Sequence, residues 1–181
     1  MNIQFRQAEH SDALFIARGF HMAMLMEDVP DSQIQLFARQ ICSRDDVLYS
    51  APNTTIAIVE DEPMGMVTAY DGRFYHAWRQ QTMQLVKQHL GIEFPGMEDE
   101  ALPGEYYIDS LAVLPPHRGR GIGRALLQKA ISDGLSLNLQ PTLAVDPVNT
   151  RAQALYRSLG FRYHSDLFIF GHTYHKYILA E

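Results

Sequence analysis

The sequence predicts an α/β fold built in layers, with a pair of parallel strands inside its sheet. Three observations carry this. The C-terminal half alternates β-rich and helix-periodic stretches, strand, helix, strand, helix, strand, which is the pattern of a layered α/β structure. The 181 residues suit one domain, long enough to bury roughly 70% of its unfolded surface. Hydrophobic residues make up 46% and charged residues 20%, with Gly and Pro scattered, which excludes disordered, collagen-like and low-complexity chains.

Residues 3–6 read as a short opening strand, and Ser11-Asp12 as the cap of a helix whose apolar run extends from Leu14 to Met26. Pro30-Asp31-Ser32 restarts a second helix through Ile34, Phe37, Ala38 and Ile41. Residues 54–60 are β-branched and predict a strand, Asp61-Glu62-Pro63 its turn, and residues 64–70 the returning hairpin partner. A helical stripe of Trp78, Met83, Leu85 and Val86 marks residues 73–90, with Gly91 placed to end it. The loop at 93–104 has two prolines and two glycines and is expected to be mobile or draped over a surface. Beyond it follow a strand at 106–114, a helix at 121–133, a strand at 142–146, a helix at 149–159 and one or two strands within 161–179. No internal repeat is visible.

Charge narrows the function. Fifteen Lys and Arg against 21 Asp and Glu leave a net charge of −6, which argues against a broad phosphate-neutralising surface and hence against nucleic acid as a partner. The single cysteine, Cys42, allows no internal disulfide and no cysteine-based zinc cluster, which favours a reducing location. The polar N-terminus and the absence of a stretch of about 18 apolar residues predict a soluble, cytoplasmic protein with no membrane partner. Among eight histidines, His172 and His175 with His164 invite a metal reading. Their three-residue separation would put His172 and His175 on opposite strand faces, and no metal is expected.

The strongest chemical signal is the turn Pro115-Pro116-His117-Arg118-Gly119-Arg120-Gly121-Ile122-Gly123-Arg124 between a strand and a helix. Glycines at 119, 121 and 123 are expected to adopt positive φ and to let successive N–H groups converge on an anion. The helix that opens there adds its unpaired N–H groups and its positive dipole end, about 0.3 to 2 kcal/mol for a nearby negative charge. Arg118, Arg120 and Arg124 add three cations, and together these predict a phosphate or pyrophosphate cradle. Without a ligand, the same residues read as a tight strand-to-helix connection. A Walker A loop would end in Gly-Lys-Ser/Thr where Gly123-Arg124-Ala125 stands, and a dinucleotide fingerprint would place glycine where Arg124 stands.

What the turn resembles is the acyl-CoA-binding signature of the GNAT superfamily of N-acetyltransferases. Arg118-Gly119-Arg120-Gly121-Ile122-Gly123 follows Leu111-Ala112-Val113, and Asn149, Ala152, Leu155-Tyr156 and Gly160-Phe161 are similar to the family's second motif in the expected order. The resemblance covers about residues 105–163. It implies a single domain over 1–181, a mixed, mostly antiparallel twisted sheet with a central parallel pair splayed to hold acyl-CoA, and helices on both faces. Residues 73–104 depart from the family as a helix-plus-loop insertion.

The resemblance also implies a chemistry: acetyl-CoA as co-substrate, and an acetyl group moved to a primary amine of a small molecule or a protein by direct attack in a ternary complex. The cofactor arm would lie along Leu111, Ala112 and Val113, and its pyrophosphate on the N–H groups of Arg118, Gly119, Arg120, Gly121, Ile122, Gly123 and Arg124. Asn149 would touch the arm, cap the following helix, or do both. Tyr156 is similar to the tyrosine that protonates the departing thiolate, although its apolar stripe with Ala152, Leu155 and Leu159 also suits a core residue. Because an amine of pKa near 10.4 is neutral in only about one molecule in 2,500 at pH 7, a base is needed. Asp109, on the parity of Leu111 and Val113, is the first candidate and Glu105 the second, with a structural carboxylate the other reading of Asp109. The acidic run Glu98-Asp99-Glu100, with Asp71 and Glu93, is either a steering surface for a cationic amine or a solvated face. The aromatic C-terminal run suits an acceptor wall or a contact in a homodimer. A CoA-binding sensor or interaction domain without catalysis is the alternative function.

Overall fold

Strand β1 (Gln4–Gln7) leads through a single 3-10 turn into helix α1 (Ala13–Ala23). Asp12 caps the turn rather than α1, because its carboxylate is held by Arg6 at 2.7 and 2.9 Å and by the Glu9 amide at 2.8 Å. Helix α1 ends three residues before Met26, where Leu25 turns left-handed at φ 55°. Helix α2 (Asp31–Phe37) continues into a wide π turn at Ala38–Cys42. The hairpin of β2 (Thr54–Val59) and β3 (Glu62–Asp71) turns on Glu60 and Asp61, at φ 54° and 64°, so Glu62 and Pro63 belong to the strand and not to the turn. A turn with both residues left-handed matches the twist of the strands it joins. Pro63 is opposite Ile58, next to a bulge, a place that tolerates a missing N–H.

Helix α3 (Tyr75–Leu90) is ended by Gly91 at φ 70°, as its stripe predicts. The loop after it is draped over the surface: Phe94 packs edge-on to Phe170 at 5.1 Å, and the Glu98 amide donates to the Phe168 carbonyl at 3.0 Å. Strand β4 (Glu105–Val113), helix α4 (Ile122–Ser136), strand β5 (Gln140–Val145), helix α5 (Thr150–Ser158) and the hairpin β6 (Phe161–Ile169) and β7 (His172–Leu179) complete the chain. Residues 2–26 and 28–180 are described in this computed structural model.

The seven strands form one sheet in the order β1-β2-β3-β4-β5-β7-β6, antiparallel throughout except for the central β4–β5 pair. Strand alternation sends side chains into two cores. Ile56, Met66, Tyr70 and Tyr107 meet α1, α2 and α3 on one face, while Val67, Ile108, Leu143 and Val145 meet α4 and partly buried residues of α5 on the other. This is the single-domain, mixed-sheet α/β architecture with helices on both faces that the sequence predicts.

Two local irregularities in β4 position everything that follows. Thr68 pairs with Ser110 and Ala69 with Ile108, so Asp109 has no partner on β3 and forms a bulge. On the other side, parallel pairing stops at Ile108 opposite Leu143, and the two central strands separate beyond it.

Candidate active site

Where β4 and β5 part, a cleft of about 510 Å³ opens across the sheet edge. Asp109, Leu111, Ala112 and Val113 line one wall, and Ala144, Val145 and Asp146 the other. The glycine turn and the start of α4 close one end, with Asn149, Ala152, Leu155 and Tyr156 contributed by α5 and its cap. Of the candidate catalytic and cofactor-binding residues read from the sequence, all line this cleft except Arg120 and Glu105.

The glycine turn is shaped as a cradle. After the prolines, Arg118 bends back and donates from Nε to the Val113 carbonyl at 3.0 Å. Gly119 and Gly121 then adopt φ 80° and 85°, and a Cβ at either would meet nothing within 4 Å, so the space above them is open to a ligand. The next backbone amide after Arg118 with a backbone acceptor is that of Ala125, bonded to Gly121 at 3.0 Å. Among the described residues the amides of 119–124 are therefore available together at the positive end of α4. Gly123 departs from expectation: it lies within α4, its φ is not positive, and a Cβ there would meet Val113 Cγ2 at an ordinary contact distance of 3.5 Å, so neither conformation nor packing requires glycine. The arginines are less available than their spacing suggests. Arg124 donates to Ser158 Oγ at 2.8 Å, and Arg120, which does not line the cleft, bonds His117 at 3.2 Å.

Asn149 caps α5, its Oδ1 accepting from the Ala152 amide at 3.1 Å, and still faces the cleft. Tyr156 also faces it, with its ring edge-on to Phe161 at 6.2 Å and its phenol raised to about 12 by burial. A phenol with that proton affinity is a donor at neutral pH, never a resident anion.

Asp109 reaches the cleft by a different route from the one its parity predicts. The bulge turns it off the face of Leu111 and Val113, which pack toward α4, and onto the α1–α3 face beside Tyr70. There Oδ2 accepts from Tyr70 Oη at 2.6 Å and Oδ1 from Ser110 Oγ at 2.8 Å. Both bonds favour the charged form, but burial outweighs them and holds the carboxyl above its ordinary range. Glu105 is committed elsewhere: it accepts from Lys176 Nζ at 2.8 Å, the Leu102 amide at 3.0 Å and Thr142 at 3.3 Å.

The acidic run does not form an open steering face. Asp99 pairs with Arg79, Glu98 accepts from the Phe168 amide, Glu93 pairs with Lys87 at 2.6 Å, and Asp71 pairs with Arg73 at 2.8 Å. Glu100 is only 5% exposed, beneath the sheet. Nothing in its acidic neighbourhood signals burial; only the fold shows it. The sequence likewise gives no sign of Met22, Met24 and Leu25 at the end of α1, which complete the cleft together with Tyr174 of the aromatic C-terminal run, for which an acceptor wall is one of the two readings. Tyr174 stacks on His172 at 4.4 Å, whose Nε2 lies 3.2 Å from Asp146. Among the described residues no group of three or more His, Cys, Asp or Glu is placed to hold a metal, and no helix is long and apolar enough to cross a membrane.

The model of the acetyltransferase (GNAT) family matches residues 20–161, most of the chain and the whole of the cleft apart from Tyr174. This chain belongs to that family. A solved N-acetyltransferase from Staphylococcus aureus Mu50 shares 25% identity and a TM-score of 0.78, over 97% of this chain and 99% of that one. PaiA N-acetyltransferase from Thermoplasma acidophilum, solved in complex with coenzyme A, shares the fold at 12% identity and a TM-score of 0.57, over 97% and 98% of the two chains. In sequence, N-alpha-acetyltransferase 40 of Saccharomyces cerevisiae is 40% identical over 78 residues, 39% of this chain and 27% of that protein. The chain spans about a quarter of the length of the curated relatives it matches. GNAT membership thus rests on the sheet and glycine turn as well as on the motifs.

Proposed function

We propose that this GNAT chain is an N-acetyltransferase that moves an acetyl group from acetyl-CoA to a primary amine by direct attack in a ternary complex. One observation carries the reading: the strands part directly after residue 108, so that the amide cradle, Asp109 and Tyr156 all open onto one cleft. The cleft fits the co-substrate. Its cradle is a set of unpaired amides at a helix start, suited to a diphosphate, and the slot between β4 and β5 leads from there toward Asp109. A CoA complex of a protein sharing this fold supports that choice of ligand.

In the reaction the amine nitrogen forms a bond to the thioester carbonyl carbon and the carbon–sulfur bond breaks. Asp109 accepts the proton that the amine gives up, which its raised proton affinity suits. Tyr156 donates its phenolic proton toward the departing thiolate. Asn149 and Arg124 hold α5 and α4 in place around the slot. Asp109→Asn is expected to lower turnover about 10²-fold or more at pH 7. The loss should narrow toward pH 10, where the amine deprotonates unaided. The test measures CoA thiol release over a panel of amines, beside thermal shifts with acetyl-CoA, ATP and NAD. Stabilisation by ATP and not by acetyl-CoA would sink the reading. Stabilisation by acetyl-CoA with no turnover of any amine would leave a CoA-binding sensor in its place.

A further inference from the structure

Glu100 poses a question that the acetyltransferase reading does not answer. It is buried behind the cleft, and its two oxygens accept from phenols, Oε1 from Tyr75 at 3.2 Å and Oε2 from Tyr107 at 2.7 Å. The nearby cations are engaged with other groups. Arg79 is paired with Asp99, and Lys176 Nζ bonds the Glu100 backbone carbonyl and the Glu105 carboxylate. A glutamine could keep one of these bonds as an acceptor and reverse the other, its Nε2 donating to a phenol oxygen, without the cost of burying a charge, so a merely structural role gives no reason for a carboxylate here.

The surroundings supply a reason. Tyr107 and Tyr75 hold Glu100, Tyr70 holds Asp109, and the three rings lie against one another with centroids 6.0 to 6.4 Å apart. Two carboxylates thus sit at opposite sides of one buried tyrosine cage, one facing the cleft and the other behind it. We infer that Glu100 and Asp109 act as a single acid pair joined through this cage, in which Glu100 is a positioning residue that sets when Asp109 can act as a base in the cleft. The inference rests on the role proposed for Asp109, and Glu100 comes from the segment at 91–104 rather than from either GNAT motif.

The charged and titratable groups around the pair agree with this. Tyr49 faces it from the segment before β2, Tyr70 from β3, Tyr75 and Arg79 from α3, Tyr107 and Glu105 from β4, and Tyr174 and Lys176 from β7. Burial raises both carboxyls, and the negative charge of Asp109 raises Glu100 further. Each accepts two bonds from neutral hydroxyls, but Asp109 lines the cleft while Glu100 is enclosed behind it, so Asp109 ionises first and Glu100 keeps the last proton. The charge that forms at Glu100 makes Asp109 the stronger base.

The experiment follows the side-chain carboxyl resonances of the full chain by NMR from pH 4 to 9, in wild type, Asp109→Asn and Glu100→Gln. Wild type is expected to show two coupled steps. Asp109→Asn should lower the remaining Glu100 step by about one pH unit or more, and Glu100→Gln should leave Asp109 a single simple step. With turnover, the acid limb of kcat/KM should lose its second inflection in Glu100→Gln and keep it in Glu100→Asp. A Glu100 with only a structural role would lower activity at every pH and leave the limb's shape alone. Independent titration, with Glu100 unmoved in Asp109→Asn and Asp109 unmoved in Glu100→Gln, would overturn the pair. Should Glu100→Gln fail to fold, Tyr107→Phe removes one donor and should raise the Glu100 step, and an unmoved step there overturns it equally. Because the titrations need no turnover, coupled carboxyls in a chain that acetylates nothing would sink the assigned reaction, and with it the purpose of the pair, while the pair itself stood.

Discussion

Gly121 gives the sharpest test of the cradle, because its two contributions separate. At φ 85° and ψ −5° it is the left-handed residue from which α4 starts. A residue with a Cβ there costs about 1 to 2 kcal/mol of conformational strain. At this chain length that lowers Tm by about 2 to 8 °C. No steric cost adds to this, since a Cβ would meet nothing within 4 Å. If the cradle holds the diphosphate as proposed, that open space is the ligand's, and a side chain placed in it works against binding alone. Gly121→Ala is expected to weaken CoA at least about tenfold, or 1.4 kcal/mol. Gly121→Glu sets a negative charge against the diphosphate and should cost several kcal/mol, a loss of about 100-fold or more. Gly91 provides the control: it too is left-handed, at φ 70° with no atom within 4 Å of its Cβ position, but it ends α3 away from the cleft. Gly91→Ala should lose comparable stability and no affinity. Calorimetric titration with CoA at fixed ionic strength, with melting curves of each variant, decides the matter. A folded Gly121→Glu protein that binds CoA as wild type does would refute the cradle.

Three further outcomes are expected. Tyr156→Phe should lower kcat about 10²-fold or more with little change in Tm, since the phenol has no hydrogen-bond partner among the described residues; equal turnover would remove it from proton transfer. Stability should fall as pH rises from about 4 toward neutral, because Asp109 and Glu100, raised to about 6 and about 7, bind protons more tightly folded than unfolded. Asp12, held low by Arg6, acts in the opposite sense and loses its contribution only as pH falls through the acid range. Denaturant melts from pH 4 to 8 check this, and Asp109→Asn with Glu100→Gln should flatten the slope. Gly134→Ala would put a Cβ 2.8 Å from that of Tyr106, where α4 lies against β4, and should destabilise by about 1 to 3 kcal/mol in urea titration.

The glycine turn and the second motif were legible because their chemistry is local. A cradle needs particular residues within one turn of backbone, so spacing alone reports it, and the α4 start and the Asn149 cap follow from the same short-range rules. The element boundaries that went astray were also local, but they depended on two-residue conformations, at Leu25 and at Glu60-Asp61, that apolar periodicity does not encode. Asp109 shows where such reading stops. Residue parity put it on one face of β4, and one unpaired residue in the β3–β4 register put it on the other.

Glu100 shows the same limit at longer range. In the chain it stands in a run of acids, where solvent is the expected neighbour; in the fold it lies beneath the sheet, against phenols from α3 and β4. Short-range pattern thus established the α/β layering, the parallel pair and the glycine turn that opens α4, since each depends on residues a few positions apart. Which carboxylates share a buried site, which arginines are already engaged, and where the central strands part were decided by contacts between segments distant in sequence, where desolvation and register take effect only once the chain has closed on itself.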